Sequence, residues 1–206
     1  MKRAGPFLAG MFLLAALWLG PLPEMARRAF SPHMILHLGV TVVAAPLIAV
    51  GLLRLWPETK APSRPLLAAV GVTLFELAAV WGWHAPLMHE WAARSTPMFV
   101  LQQLSFLLAG MAVWLVCLVG RDATSRGIGT VAMLFTSMHM TMLGILLVTA
   151  PMLLYAPQFC LGAFGFSPLD DQRFGGALMA SAGTLPYVGA GGWLALSFFK
   201  DNDPRL

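Results

Sequence analysis

Residues 30–55 read FSPHMILHLGVTVVAAPLIAVGLLRL, a nearly continuous apolar run in which two histidines, His33 and His37, stand four positions apart. A helix rises 1.5 Å per residue, so about 20 apolar residues cover the roughly 30 Å hydrocarbon core of a bilayer. The run therefore predicts a transmembrane helix over 33–55, with both histidines near one of its ends.

The rest of the chain has the same character. Its 206 residues are 58% hydrophobic and 11% charged, whereas charged residues make up about a quarter of an ordinary globular domain. We predict an all-α fold, a single transmembrane helical bundle over 1–206. Six helix-length apolar segments fall at about 5–21, 33–55, 66–87, 98–119, 130–155 and 173–199.

The basic residues predict the orientation of the bundle, because Lys and Arg concentrate in cytoplasmic loops. With the N-terminus inside, nine fall on the inner side and four on the outer side, which favours cytoplasmic termini and multi-pass insertion in a bacterial inner membrane. The inner residues are Lys2, Arg3, Arg54, Lys60, Arg64, Arg121, Arg126, Lys200 and Arg205, and the outer ones are Arg27, Arg28, Arg94 and Arg173. The net charge of +4 is thus a topology signal, and no basic motif indicates a nucleic-acid partner.

The predicted helix positions lead to expectations about cleavage of the first segment and about a disulfide between the two cysteines. No A-x-A site precedes Arg27, so we expect the first segment to be an uncleaved anchor rather than a signal peptide. Cys160 is predicted in the last outer loop and Cys117 near the inner end of the fourth helix, which excludes a disulfide between them. We expect an outer-side thiol reagent to modify Cys160 and to spare Cys117.

This topology brings polar residues from four segments to the outer side of the membrane. A single histidine at a helix end usually anchors at the interface, and an acidic residue there usually caps the helix. Together they favour a shared site, because ionisable groups in a membrane tend to face a cavity or a partner. The set comprises His33, His37, His84 with His89 in the loop beyond, Gln102, Gln103, Asp170, Asp171, Gln172 and, about two turns further in, Met179.

The residue types in this set suggest a metal. Imidazole is a common transition-metal ligand, two histidines at i and i+4 can share one ion, and thioether sulfur favours Cu(I). The chain carries thirteen methionines, so we expect copper at His33, His37 and His84, completed by Met179 or Asp171 in a partly open site. Zinc fits the same histidines and carboxylate.

A second signal lies near the middle of the fifth segment. His139 and, on the third segment, Glu76 are predicted at similar depth, and Met142 is three residues beyond His139. The two ionisable residues indicate a hydrogen-bonded pair, a proton relay or a deeper metal position. The neighbouring methionines are equally explained as packing sulfur.

Several blocks of the sequence resemble the CtaG-type cytochrome c oxidase assembly factors: FSPHMILHLGVTVVAAPLIAVG, WGWHAPLMHEW, QQLSFLLAGMAVW and DDQRFGGALM. The resemblance spans about residues 28–195 and implies an integral membrane protein that matures haem-copper oxidases and acts on copper. Its pattern falls on His33, His37, His84, Asp171, Gln172 and Met179 of this chain. Gln103 stands where the family often has histidine, and six segments are counted where seven crossings are common.

These observations leave three functions open. The first is a copper-handling assembly factor that receives copper from a periplasmic carrier and presents it to an oxidase subunit, surrounded by membrane lipid. The second is a haem-binding electron-transfer protein, for which His37 and His84 are the plausible axial pair. The third is a structural subunit of an oxidase complex. No nucleophile with a paired base and no nucleotide-binding motif indicates an enzyme.

Overall fold

A computed structural model describes residues 3–201, which form ten α-helices and no strand. The charges predicted at Lys2 and Arg205, and the side chain of Lys200, lie outside the described residues. The helices are α1 (Gly5–Leu19), α2 (Leu22–Ala26), α3 (Phe30–Leu38), α4 (Ala45–Leu55), α5 (Pro65–His84), α6 (Pro86–Arg94), α7 (Thr96–Val119), α8 (Ala123–Thr149), α9 (Pro168–Ser181) and α10 (Leu185–Asp201).

Four helical stretches are long and apolar enough to cross a membrane: Phe30–Leu55, Pro65–His84, Thr96–Val119 and Ala123–Thr149. They have 20 to 27 residues and mean hydropathies of 1.7 to 2.2. The predicted all-helical class is therefore confirmed, and four of the predicted segments are helices that could span a membrane by their length and composition. Orientation and a total of six crossings stay predictions.

The first and last predicted segments are shorter than expected. Helix α1 has 15 residues, about 22 Å at 1.5 Å per residue, and this falls short of the hydrocarbon core. The segment predicted at 173–199 is two helices, because the chain turns at residues 182–184 and α10 starts anew with Pro186 in its first turn. Proline fits the first turn of a helix, where its missing N–H costs nothing, but not the interior.

Two predicted helix boundaries differ from those in the structure. The segment predicted at 66–87 ends at His84, since Pro86 opens the separate helix α6. The segment predicted at 130–155 is α8, which begins seven residues earlier at Ala123, with Asp122 as its N-cap accepting a hydrogen bond from the Ser125 N–H. Asp122 beside Arg121 reads as loop in a hydropathy profile, yet it is a normal helix start.

Helix α9 packs very closely on α8. A Cβ added at Gly144 of α8 would lie 2.5 Å from the Ala180 backbone nitrogen and 2.7 Å from the Gly176 carbonyl oxygen. Only glycine permits helix backbones to approach at this distance. Helix α9 in turn packs on α3, and α7 contacts α4, α5 and α8, so the histidine-bearing helices surround a common interior.

The long span Phe30–Leu55 is not a uniform α-helix. Residues Gly39–Ala44 form a π-helix between α3 and α4. Pro46 follows in the first turn of α4 and has no N–H to donate to the preceding turn, which favours a local change of hydrogen bonding. The Thr41 hydroxyl donates to the His37 carbonyl at 2.9 Å. Such π segments are frequent at functional sites.

Both cysteines are buried in the described structure, so the predicted contrast in thiol labelling does not follow from their positions in the fold. Burial raises the pKa of the Cys160 thiol to about 12, and the thiolate is the reactive form. We expect neither Cys160 nor Cys117 to react with maleimide in the folded protein at pH 7.5, and both to react in SDS.

Topology is therefore better measured with new thiols at exposed positions of a cysteine-free variant. Gln158 lies in the loop after α8 and Ser63 in the loop before α5, and both are exposed. Gln158→Cys should react with a membrane-impermeant maleimide in spheroplasts, and Ser63→Cys only after lysis. The opposite pattern would invert the predicted orientation.

Candidate functional site

Four of the five histidines gather in one buried cluster formed by α3, the last residue of α5 and the middle of α6. The ring centroids of His33 and His89 are 4.7 Å apart, those of His33 and His84 5.3 Å, and those of His37 and His84 5.2 Å. His33 and His37, one turn apart on α3, stack at 6.5 Å. All four side chains are from 0% to 4% exposed. We call these residues the histidine cluster.

Most ring nitrogens of the histidine cluster have no hydrogen-bond partner in the protein. His84 Nδ1 donates a hydrogen bond to the Val80 carbonyl at 2.6 Å, which leaves His84 Nε2 as the lone-pair nitrogen. Buried polar atoms without partners are rare and costly. The unpartnered atoms are His33 Nε2, both nitrogens of His37, His84 Nε2 and His89 Nδ1.

The rings are close together but do not form a finished coordination cage. Among the described residues, no group of three or more His, Cys, Asp or Glu side chains has its donor atoms placed around one metal position. Small changes in ring rotation would be needed to direct several nitrogens to one point, since ligand nitrogens lie about 2.0–2.1 Å from a bound ion.

His89 was predicted in a loop, and this was wrong. Pro86 starts α6 directly after α5, so the chain turns back and His89, in the middle of α6, lies over His33. Burial and the neighbouring His84 lower the pKa of His89 to about 3, so the ring is neutral near pH 7. The proline between two histidines in WGWHAPLMHEW was the available signal that the second histidine could fold back onto the first.

Aromatic rings close the histidine cluster. Phe106 of α7 lies 4.0 Å from the His37 ring, and Tyr155 lies 4.5 Å from the His89 ring and 4.8 Å from Phe30, between centroids. The Tyr155 hydroxyl donates to the His84 carbonyl at 3.0 Å. Aromatic side chains therefore enclose the cluster and close it to solvent. The structure does not show the partly open site that was predicted.

Asp171 lies beside the cluster and is used for a different purpose from the one predicted. Its Oδ2 accepts hydrogen bonds from the backbone N–H groups of Phe30 at 2.7 Å and Ser31 at 3.2 Å, and its Oδ1 accepts from the Ser31 hydroxyl. The carboxylate thus caps the N-terminus of α3 from another helix, where negative charge is favoured. It holds the helix that carries His33 and His37 and donates nothing to a shared site in this structure.

Gln172 supports the opposite wall of the cluster. Its Oε1 accepts a hydrogen bond from the Leu154 N–H at 2.8 Å, immediately before Tyr155. Through Tyr155, this contact fixes the segment that bonds the His84 carbonyl and packs on His89. The adjacent residues Asp171 and Gln172 therefore position both halves of the cluster from one turn of α9.

The other predicted residues lie elsewhere. Met179 is fully buried within the apolar core, and Gln102 and Gln103 are buried on α7, with the Gln103 amide donating to Gln102 Oε1 at 3.4 Å. His139 Nε2 lies 2.8 Å from Glu76 Oε2 in a buried pair, as one of the predicted alternatives has it. Met142, predicted to share its face, is exposed.

The comparisons with known proteins decide the family. The family model of the cytochrome c oxidase caa3 assembly factors matches residues 1–201. The chain belongs to the caa3-type cytochrome c oxidase assembly factor family. No curated protein and no solved structure matches the chain.

Proposed function

We propose that this assembly factor carries copper as cargo at the histidine cluster, on the outer side of a bacterial inner membrane, and passes it to a haem-copper oxidase subunit. The observation that supports the proposal is the set of five unpartnered nitrogens on four buried rings. A fold that only packed these positions would gain by using apolar residues there. Neutral imidazole nitrogens are suited to bind a transition metal.

Cargo binding is assigned to His33, His37, His84 and His89 alone. Asp171 and His139 have hydrogen-bond partners of their own, and Met179 packs in the apolar core. Copper bound to the four imidazoles would replace the missing partners of the ring nitrogens. Asp171 then acts as a positioning residue, and the assembly factor needs no catalytic group for this task.

A closed site requires that copper is loaded and released by a local movement, and α6 is the element that covers the cluster. It is held by Arg27, whose Nε donates to the Ala93 carbonyl at 3.0 Å, and by Glu90, whose Oε1 accepts from the Ala156 N–H at 3.1 Å. Both contacts are on the outer side of the bundle in the predicted topology. A periplasmic copper carrier or the oxidase would therefore meet α6 first.

The haem alternative is disfavoured by the packing beside His37. An axial pair needs a slot for the macrocycle, and the Phe106 ring fills the space at 4.0 Å from His37. The structural-subunit alternative leaves the unpartnered nitrogens unexplained. An absorbance spectrum with a Soret band from the purified protein would favour haem over copper.

The test is an anaerobic Cu(I) titration of purified protein against a chromophoric chelator. The variant His33→Leu/His37→Leu removes three of the unpartnered nitrogens and keeps the site apolar, so it should fold with equal or greater stability. We expect the affinity for Cu(I) to fall by roughly a hundredfold or more, since even outer-shell changes at metal sites cost about 10–100-fold. In copper-limited cells the same variant should lower oxidase activity, and added copper should partly restore it.

The matched control is His139→Gln, which keeps a hydrogen-bonding side chain next to Glu76 and lies outside the cluster. Its Cu(I) affinity should stay within about threefold of the parent affinity. This change is well below the loss of about 10–100-fold that is expected when a metal site is disturbed. Copper binding by His33→Leu/His37→Leu at parental affinity, or normal oxidase activity in copper-limited cells, would show that the histidines do not carry the cargo.

A further inference from the structure

A cleft on the predicted outer side of the bundle lies beside α6, the helix that covers the histidine cluster. It has a volume of about 390 Å³ and opens between the end of α2, the end of α6 and the loop after α8. Ligand sites of about 300–1,000 Å³ are common in proteins, so the cleft has room for a short chain segment. We call it the outer cleft, and its lining includes Glu24, Arg27, Arg28, Ala93, Gln158 and Phe159.

The charges in and beside the outer cleft are not balanced. Arg28 forms an ion pair with Glu24 at 2.5 Å, and Arg94, next to the cleft, forms one with Glu90 at 3.2 Å. Among residues 3–201, no carboxylate forms an ion pair with Arg27, which bonds only neutral oxygen atoms. The outer cleft therefore holds one positive charge that no negative side chain compensates.

The guanidinium of Arg27 is already fixed in position but has donors to spare. Its Nε donates to the Ala93 carbonyl at 3.0 Å and its Nη1 to the Thr96 hydroxyl at 3.3 Å. A guanidinium has five N–H donors in a planar fork, and a carboxylate can accept two of them side by side in a bond about twice as strong as a neutral one. The cleft is thus suited to an anionic group that approaches Arg27.

The other groups of the outer cleft favour a peptide as the source of that anion. The Glu24 carboxylate and the Gln158 amide oxygen can accept hydrogen bonds from backbone N–H groups, and Phe159 provides an apolar wall. An acidic chain segment brings a carboxylate for Arg27 and N–H donors for these oxygens. A lipid phosphate brings the negative charge without those donors.

We propose that the outer cleft is the docking site for an acidic segment of the protein that exchanges copper with the assembly factor, and that docking loosens α6; this rests on the proposed function. A carboxylate that binds Arg27 competes with the Ala93 carbonyl, because a charged acceptor forms the stronger hydrogen bond. Helix α6 then keeps the contact between Glu90 and the Ala156 N–H but loses its contact with Arg27. The histidine cluster would therefore open while a partner is docked and stay closed otherwise.

Binding is tested with a fluorescein-labelled Glu-Ser-Glu-Ser-Glu-Ser peptide and metal-free protein in a neutral detergent, by fluorescence anisotropy. We expect binding to the parent that weakens as NaCl is raised. The affinity should fall by about tenfold or more in Arg27→Gln and in Arg28→Gln, because close charge pairs at interfaces contribute at least this much. Arg28 has a side chain that is 67% exposed, so its variant should fold even if Arg27→Gln does not.

The matched control is Arg173→Gln, which removes the same charge from α9 on the same predicted side of the membrane, outside the lining of the outer cleft. Its affinity for the peptide should equal that of the parent. A Gln-Ser-Gln-Ser-Gln-Ser peptide should not bind. Equal affinity in the parent, Arg28→Gln and Arg173→Gln would overturn the docking site, and so would displacement of the peptide by phosphatidylglycerol added to the micelles, which would assign the cleft to a lipid headgroup.

The effect on α6 is measured by hydrogen–deuterium exchange of the backbone amides of residues 86–94. Saturating Glu-Ser peptide should speed this exchange several-fold in the parent, and Arg27→Gln should show the faster exchange without peptide. Bound peptide with unchanged exchange would show that docking does not loosen α6. Both measurements use metal-free protein, so their outcome does not depend on whether the histidine cluster binds copper.

Discussion

Replacing Asp171 with alanine should destabilise the protein by about 3 kcal/mol or more and disorganise the histidine cluster. Three donors at the start of α3, the N–H groups of Phe30 and Ser31 and the Ser31 hydroxyl, lose their acceptor. Each buried donor left without a partner costs about 1–3 kcal/mol. The free energy of unfolding can be measured by SDS titration in mixed micelles, and Cu(I) affinity by chelator competition.

The neighbouring residue offers a matched control. Asp170 is exposed, bonds the Ser167 hydroxyl at 2.6 Å and lies 4.0 Å from Arg173. Exposed contacts of this kind contribute little, so Asp170→Ala should change the free energy of unfolding by about 0.5 kcal/mol or less. Equal losses in Asp170→Ala and Asp171→Ala would contradict the capping role of Asp171. Parental Cu(I) affinity in a folded Asp171→Ala protein would show that the cap does not position the histidines.

The second large effect is expected at Gly144. In Gly144→Ala the new methyl group meets the Ala180 backbone nitrogen at 2.5 Å and the Gly176 carbonyl oxygen at 2.7 Å. Backbone atoms of a packed helix cannot rotate away as a flexible side chain can, so α9 must move off α8. Overpacking of this kind costs about 1–3 kcal/mol and occasionally more, and SDS titration should show this loss.

Gly71 gives the control for Gly144, because it is also inside a long helix but a Cβ there meets nothing within 4 Å. Alanine is the better helix former by about 1 kcal/mol, so Gly71→Ala should leave stability unchanged or raise it. Since α9 carries Asp171, Gly144→Ala should also weaken Cu(I) binding, and Gly71→Ala should not. A stable Gly144→Ala variant would mean that α8 and α9 are not closely packed in the membrane.

Much of the helical framework could be predicted because hydrophobicity and charge act on whole segments. The four long spans stand out for this reason. The same logic brings His33, His37 and His84 to one level, and their ring centroids lie 5.2 to 6.5 Å apart. The sequence resemblance to the assembly factors and the family-model match over residues 1–201 indicate the same family.

Other features depend on contacts between distant parts of the chain, and the sequence could not reveal them. Asp171 was predicted as a metal ligand from its residue type, but a carboxylate also caps helices, and here the helix it caps begins 141 residues earlier. His89 joins the cluster through a turn at Pro86 that a hydropathy profile reads as a simple loop. The break at residues 182–184 was missed because its flanks are equally apolar.

The π-helix at Gly39–Ala44 has a consequence for how this span is compared with other sequences. A π turn takes up one residue more than an α turn without changing the path of the helix, so it behaves as an insertion hidden inside a continuous span. Each residue turns an α-helix by about 100°, so a helical wheel drawn through Phe30–Leu55 as one α-helix misplaces His37 relative to Ile48 by that angle. Ungapped alignment of this span with a relative that lacks the π turn would pair lipid-facing residues with buried ones on one side of residue 41, and a gap placed within 39–44 restores the match.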